Sequence, residues 1–191
     1  MDFDKMILKY NGLFDYNQLK SNGFNQRQIN NMEKNGDIQK VGHGLYCHKN
    51  YTPDTFKILQ WNNSFIYSHE TAAYLHDLTN RFPRIFTGTI PSGYHYRKKT
   101  NLQLYYIKSE LFNIGVVDFI DYEGNLIQIY DKERTICDLL RSKNKIEQQV
   151  LIESLQNYFY KKPNLRKLIK YSKLFHLESE IKLYCEILMK G

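Results

Sequence analysis

The sequence predicts an α+β protein, and three observations lead there. Apolar residues recur every three to four positions as far as Gly36, interrupted by glycines where helices would stop. Around Gly42-His43-Gly44 the period shortens to that of two strands joined by a tight turn. Beyond residue 80, alternating runs come first and capped amphipathic segments follow Asp131, so strands precede a helical C-terminal part.

Phe3, Met6, Ile7 and Tyr10 share one helical face, and Gly12 ends the helix they predict. Asp15 is placed to cap a helix over residues 16–22, stopped by Gly23, and Asn25 to cap one over 26–35, stopped by Gly36. Two short helices around a glycine turn make a helix-turn-helix pattern. Ile38 and Val41 before the glycine-rich turn, with Leu45-Tyr46-Cys47 after it, predict a β-hairpin wing. Residues 1–50 therefore read as an N-terminal winged helix-turn-helix domain.

Residues 51–191 read as a second, mixed α/β domain with a helical C-terminal part. Thr52-Pro53-Asp54 suggests a linker, with Asp54 capping a helix through Phe56, Leu59 and Gln60 toward Trp61. Ser68 is placed to cap a helix through Ala72, Ala73, Leu75 and Leu78. Ile85-Phe86-Thr87, residues 102–107 and Val116-Val117-Phe119-Ile120 alternate like strands. Asp131 heads a helix through Ile136, Leu139 and Leu140; residues 146–158 form another, Pro163 opens a third, and 178–189 close the chain.

Lys and Arg number 27 against 20 Asp and Glu, a net charge of +7, which suits a polyanion as partner. The 26–35 helix turns Ile29 and Met32 inward, leaving Gln26, Arg27, Gln28, Asn30 and Asn31 outside with no carboxylate before Glu33. Arg forks onto guanine and Gln or Asn onto adenine in the major groove of double-stranded DNA. The plainer alternative is a solvated face that packs a protein partner. Lys40 and His43 lie where a wing meets a phosphate or the minor groove, although His43 equally suits the backbone between two glycines.

No acid occurs between Asp77 and Glu110, where Arg81, Arg84, Arg97, Lys98, Lys99 and Lys108 collect. A second acid-free interval, from Glu153 to Glu178, places Arg166, Lys170 and Lys173 on one helical face. Both intervals predict phosphate-binding surface that widens the grip on DNA, or alternatively two ordinary solvated faces.

Other classes find little support. Cys47, Cys137 and Cys185 are odd in number and widely spaced, which argues against a disulfide framework or zinc ribbon and for a reducing cytoplasm. The acidic start Met1-Asp2-Phe3-Asp4 lacks signal-peptide character, and no apolar stretch approaches membrane-span length, so no membrane association is expected. The phosphate-loop, dinucleotide, metalloprotease and serine-hydrolase motifs are missing, so no catalytic or metal-binding residue and no cofactor is expected. His76-Asp77 reads as part of a helix face, and the charged run from Asp131 to Asp138 as a cap followed by an Arg134–Asp138 helical ion pair.

Three segments together carry a resemblance: Gly36-Asp37-Ile38-Gln39-Lys40-Val41-Gly42-His43-Gly44-Leu45-Tyr46, Ser68-His69-Glu70-Thr71-Ala72-Ala73-Tyr74-Leu75-His76, and Glu133-Arg134-Thr135-Ile136-Cys137-Asp138-Leu139-Leu140. In order and spacing they resemble the AbiEi family of abortive-infection antitoxins over most of the chain. The resemblance implies a type IV antitoxin that represses its own operon, binding inverted repeats in its promoter as DNA-bound pairs. It also implies a C-terminal antitoxin domain acting against a nucleotidyltransferase-like toxin without a stable complex. Some relatives are thought to phosphorylate their toxin, a minority alternative that would rest here on Asp131 to Asp138 with Lys98 and Lys99. A rival from another class is a protein-interaction module that uses the helices as a scaffold.

Overall fold

A computed structural model describes residues 3–61, 65–94 and 101–189. Among them the chain is a mixed α+β protein with ten helices and two sheets. No helix is long and apolar enough to cross a membrane among the described residues. The chain divides into two compact units, one of residues 1–64 with 118–127, the other of 65–117 with 128–191.

The first unit opens with α1 (Phe3–Lys9), β1 (Leu13–Asp15), α2 (Tyr16–Ser21) and α3 (Gln26–Lys34). Each of the last two starts on a reciprocal capping box. Asp15 accepts from the Gln18 N–H while the Gln18 side chain takes the Asp15 N–H, and Asn25 and Gln28 repeat the arrangement. β2 (Ile38–Gly42) and β3 (Leu45–His48) follow as an antiparallel pair, with β1 on the far side of β3. Leu13–Asp15 pairs because its residues stand opposite Cys47, Tyr46 and Leu45, a non-local match that three residues do not advertise. Met6, Phe14, Leu19, Ile29 and Ile38 make a closed core under the helices.

The helix α4 (Thr55–Gln60) is capped by Asp54, which accepts from the N–H groups of Phe56 and Lys57. The tight turn around residues 121–125 belongs to the same unit. There Asp121 Oδ1 accepts from the N–H groups of Glu123 and Asn125, and Asn11 donates to the carbonyls of Glu123 and Gly124. Asp54 and Asp121 are both buried. Burial, the neighbouring Asp121 carboxyl and its charge push Asp54 up to about 7.

The second sheet runs β6-β5-β4-β8-β7, from β4 (Ile66–Tyr67), β5 (Phe86–Pro91), β6 (Leu102–Ile107), β7 (Val116–Ile120) and β8 (Leu126–Tyr130). β5 and β6 are parallel, and β4 joins β5 antiparallel and β8 parallel. The strand expected to include Ile85 begins one residue later, and the helix expected to reach Leu78, α5 (His69–Leu75), ends earlier. Asp77, in the left-handed region with φ 55°, follows its cap. The short α6 (Ser109–Phe112) precedes β7.

Four helices complete the second unit: α7 (Lys132–Arg141), α8 (Gln148–Tyr160), α9 (Leu165–Phe175) and α10 (Glu178–Leu188). Their inward faces, among them Ile136, Leu139, Leu155, Leu168 and Ile181, form one apolar core. The Arg134 side chain is fully buried within the unit. It lies between the Tyr130 and Phe175 rings at 4.1 and 4.2 Å, donates to the Leu111 and Ile114 carbonyls and pairs with Asp138 at 3.0 Å. The helical ion pair read from the sequence is thus a deeply buried one, where removing either partner strands a charge.

Candidate nucleic-acid interface

The local chemistry of α3 decides what it exposes. Ile29 is buried and Met32 half-buried against the core, so Gln26, Arg27, Gln28, Asn30 and Asn31 are left at the surface. They are not equally available. The Gln28 side chain is engaged in the Asn25 capping box, and Gln26 donates to the Asn30 side chain at 2.8 Å. Arg27 and Asn31 make no side-chain hydrogen bond or ion pair among the described residues.

Lys34 is also exposed and lies on the same stripe, because positions 27, 31 and 34 follow the i, i+4, i+7 helical row. Lys34 was absent from the sequence-derived candidates, although that spacing could have found it. The stripe offers two cations and one amide with no carboxylate within it.

The hairpin beside α3 is held in shape by two hydrogen bonds from outside it. The Trp61 indole donates to the His43 carbonyl at 2.9 Å, and the Tyr16 N–H donates to the Gly44 carbonyl at 2.8 Å. Gly44 itself sits at φ 66°, where a glycine is favoured. A bulge between Lys40 and Gly42 shifts the register and re-aims the strand. Lys40 and His43 are both exposed.

The basic intervals of the second unit fare differently once folded. Arg84 and Lys108 are exposed, as are Arg166, Lys170 and Lys173 along one face of α9. Arg81 is not a free cation: it pairs with Glu147 at 2.9 Å and reaches Glu153 at 3.9 Å. The interval lacks acids in sequence but not in space, so Arg81 is not one of the free cations of the expected phosphate-binding surface. Lys167 likewise lies 3.0 Å from Asp131 and 3.5 Å from Glu133. Arg97, Lys98 and Lys99 fall outside the described residues.

The segments around Ser68 and Arg134 meet inside the second unit. Ser68 does not cap α5 with its side chain. Its hydroxyl instead meets His69 Nδ1 at 2.8 Å and accepts from the Thr89 hydroxyl at 2.8 Å. His69 Nε2 reaches the Ser142 hydroxyl, just past α7, at 3.0 Å. Thr71 and Thr87 exchange backbone-to-side-chain hydrogen bonds that fasten α5 to β5. His76, which sequence placed on a helix face, bonds the Tyr130 carbonyl at 2.7 Å.

Burial and the Arg141 and Arg134 charges hold His69 well below its ordinary value, so its imidazole is neutral. No group of His, Cys, Asp and Glu is placed to hold a metal ion among the described residues.

No family model matches the sequence, and no curated protein matches it. Among solved structures, the fold is similar to that of the RV2827C protein from Mycobacterium tuberculosis, with a TM-score of 0.59 and 11% identity over 84% of this chain. The matched part spans 66% of that protein's chain. At such identity the likeness is one of fold.

Proposed function

We propose that this chain is a sequence-specific DNA-binding autorepressor and the antitoxin of a type IV toxin-antitoxin system, with its N-terminal unit acting as a winged helix-turn-helix. One observation carries the DNA-binding half. α3 is capped at its start, packed through Ile29, and presents Arg27, Asn31 and Lys34 as an outward row without an opposing carboxylate. In the major groove Arg27 would fork onto a guanine, Asn31 would read an adenine edge, and Lys34 would meet a phosphate. Lys40 and His43 on the braced hairpin would lie on the flanking backbone.

Gln26, Gln28 and Asn30 take a supporting part, because contacting bases would require them to leave hydrogen bonds already made. Exposed Arg84, Lys108, Arg166, Lys170 and Lys173 add sequence-independent attraction, joined by Arg97, Lys98 and Lys99. The partners on this reading are inverted repeats in the chain's own promoter and a nucleotidyltransferase-like toxin in the cytoplasm, with no catalytic role for this chain. The antitoxin half rests on the AbiEi resemblance of the segments quoted above.

The experiment is a gel-shift titration with the DNA upstream of the gene against random duplex, over a salt series. Stepwise binding that survives random competitor, with log affinity falling linearly in log salt, is the expected result. Equal affinity for the two duplexes would overturn the repressor reading and favour a module that binds protein.

A further inference from the structure

In the second unit, a cavity of about 360 Å³ opens between β6 and the end of α7, within the lower range of small-molecule sites. Its floor is uncharged. His69, only 3% exposed, stacks on the Tyr105 ring at 3.5 Å with 14° between the planes. Its φ of 51° is a strained value for a histidine, in a side chain held by the Tyr105 stack and by hydrogen bonds to Ser68 and Ser142.

The walls are basic. Arg141 and Lys145 line the cavity, and Asp138 is the one carboxylate among the described lining residues. Asp138 is bound on Oδ2 by Arg134 at 3.0 Å and on Oδ1 by Arg141 at 3.3 Å. Arg134 therefore balances the carboxylate from behind, and the charges of Arg141 and Lys145 remain in excess. Together they outweigh the roughly half negative charge that a helix C-terminus presents.

The hydrogen-bond chain leading into the cavity has a direction. Thr89 donates to Ser68 Oγ. Ser68 is fully buried, and its own proton finds an acceptor in His69 Nδ1. A neutral imidazole then carries its proton on Nε2 and donates to Ser142 Oγ. That leaves the Ser142 proton free to donate into the cavity. The opposite tautomer would require the Ser68 hydroxyl to turn and donate to Thr89, reversing that pair. In the first arrangement Ser142 is a hydrogen-bond donor toward the cavity.

We propose that this cavity binds the phosphate group of a small phosphomonoester, with Arg141 and Lys145 as its charge partners and the Ser142 hydroxyl, positioned by His69, as its neutral donor. This site is independent of DNA recognition by α3, and its test uses the full chain without DNA. Isothermal titration at constant ionic strength compares glycerol 3-phosphate with inorganic phosphate, for the wild type and for Lys145→Met and Ser142→Ala. Arg141 is left intact because Asp138 depends on it.

Saturable one-site binding of glycerol 3-phosphate is expected, weakened about tenfold in Lys145→Met and about fivefold in Ser142→Ala, the losses of one charged and one neutral hydrogen bond. Circular dichroism confirms that both variants fold. Inorganic phosphate binding as tightly as the ester would overturn the metabolite assignment. No saturation by about 10 mM, weaker than ordinary specific binding, or unchanged affinity in both variants, would overturn the site.

Discussion

The buried carboxyl of Asp54, beside that of Asp121, makes the stability of the first unit depend on pH in a direction opposite to the usual acid denaturation. Asp54 is pushed up to about 7 from an ordinary value of 3.8. The folded state thus holds a proton that the unfolded chain releases near pH 4. The stabilisation is fully present below that point, falls as pH rises toward 7, and is gone above it. At about 1.4 kcal/mol per unit, a shift of roughly three units gives about 4 kcal/mol; partial solvent access halves this to about 2 kcal/mol.

Asp121→Asn isolates the effect. Its Oδ1 still accepts from the N–H groups of Glu123 and Asn125, while the charge beside Asp54 is removed. Urea denaturation is followed through the fluorescence of Trp61, the chain's single tryptophan, which lies in the same unit. From pH 5 to pH 8 about two of the three pH units are titrated, and burial still raises Asp54 in the variant, so the variant gains about 1 kcal/mol relative to the wild type. A difference between the two proteins that stays level across that range would refute the coupling of Asp54 to Asp121.

Three further outcomes follow from buried or exposed side chains. Ile29→Ala empties a fully buried position and lowers stability by about 2–5 kcal/mol in the same denaturation experiment; a loss under about 1 kcal/mol would mean that α3 does not rest on that core. Arg134→Met leaves Asp138 buried without its inner partner and costs about 3–5 kcal/mol, whereas adding Asp138→Leu restores most of the loss; additive losses in a double-mutant cycle would count against a coupled pair. On DNA, Arg27→Ala reduces discrimination between operator and random duplex by about 1–3 kcal/mol, and Lys34→Gln weakens both and lowers the salt slope by about 0.9; the reverse pattern would exchange the roles of the two residues.

Local chemistry explains what the sequence revealed. Asp15, Asn25, Asp54 and Asp131 each bond N–H groups two or three residues ahead, so a short window contains the whole interaction. Ser68 has the same look, yet its hydroxyl goes to His69 and to Thr89, twenty-one residues away. β1, with three residues, and β4, with two, are too short to show a period, and exist only because β3, β5 and β8 accept them. β8 could have been found, since Ile127 and Ile129 alternate with exposed Leu126 and Gln128. Arg81 shows the same limit in electrostatics, because its carboxylates come from residues 147 and 153.

The division of labour along α3 bears on the stoichiometry of the proposed repressor. Gln26, Gln28 and Asn30 are committed within the helix, which leaves Arg27 and Asn31 as the two base readers of one copy. Two good side-chain-to-base pairs supply about 2–6 kcal/mol of discrimination, while selecting an operator among genomic competitors takes about 4–10 kcal/mol. One copy reaches only the lower part of that range. Two copies on the halves of an inverted repeat double the readout to about 4–12 kcal/mol, which spans the requirement without any further base contact. A single half-site should therefore be preferred over random duplex by about 2–6 kcal/mol, and the full repeat by about twice that; selectivity above about 6 kcal/mol on an isolated half-site would place additional base readers outside α3, with the hairpin residues Lys40 and His43 the first to replace.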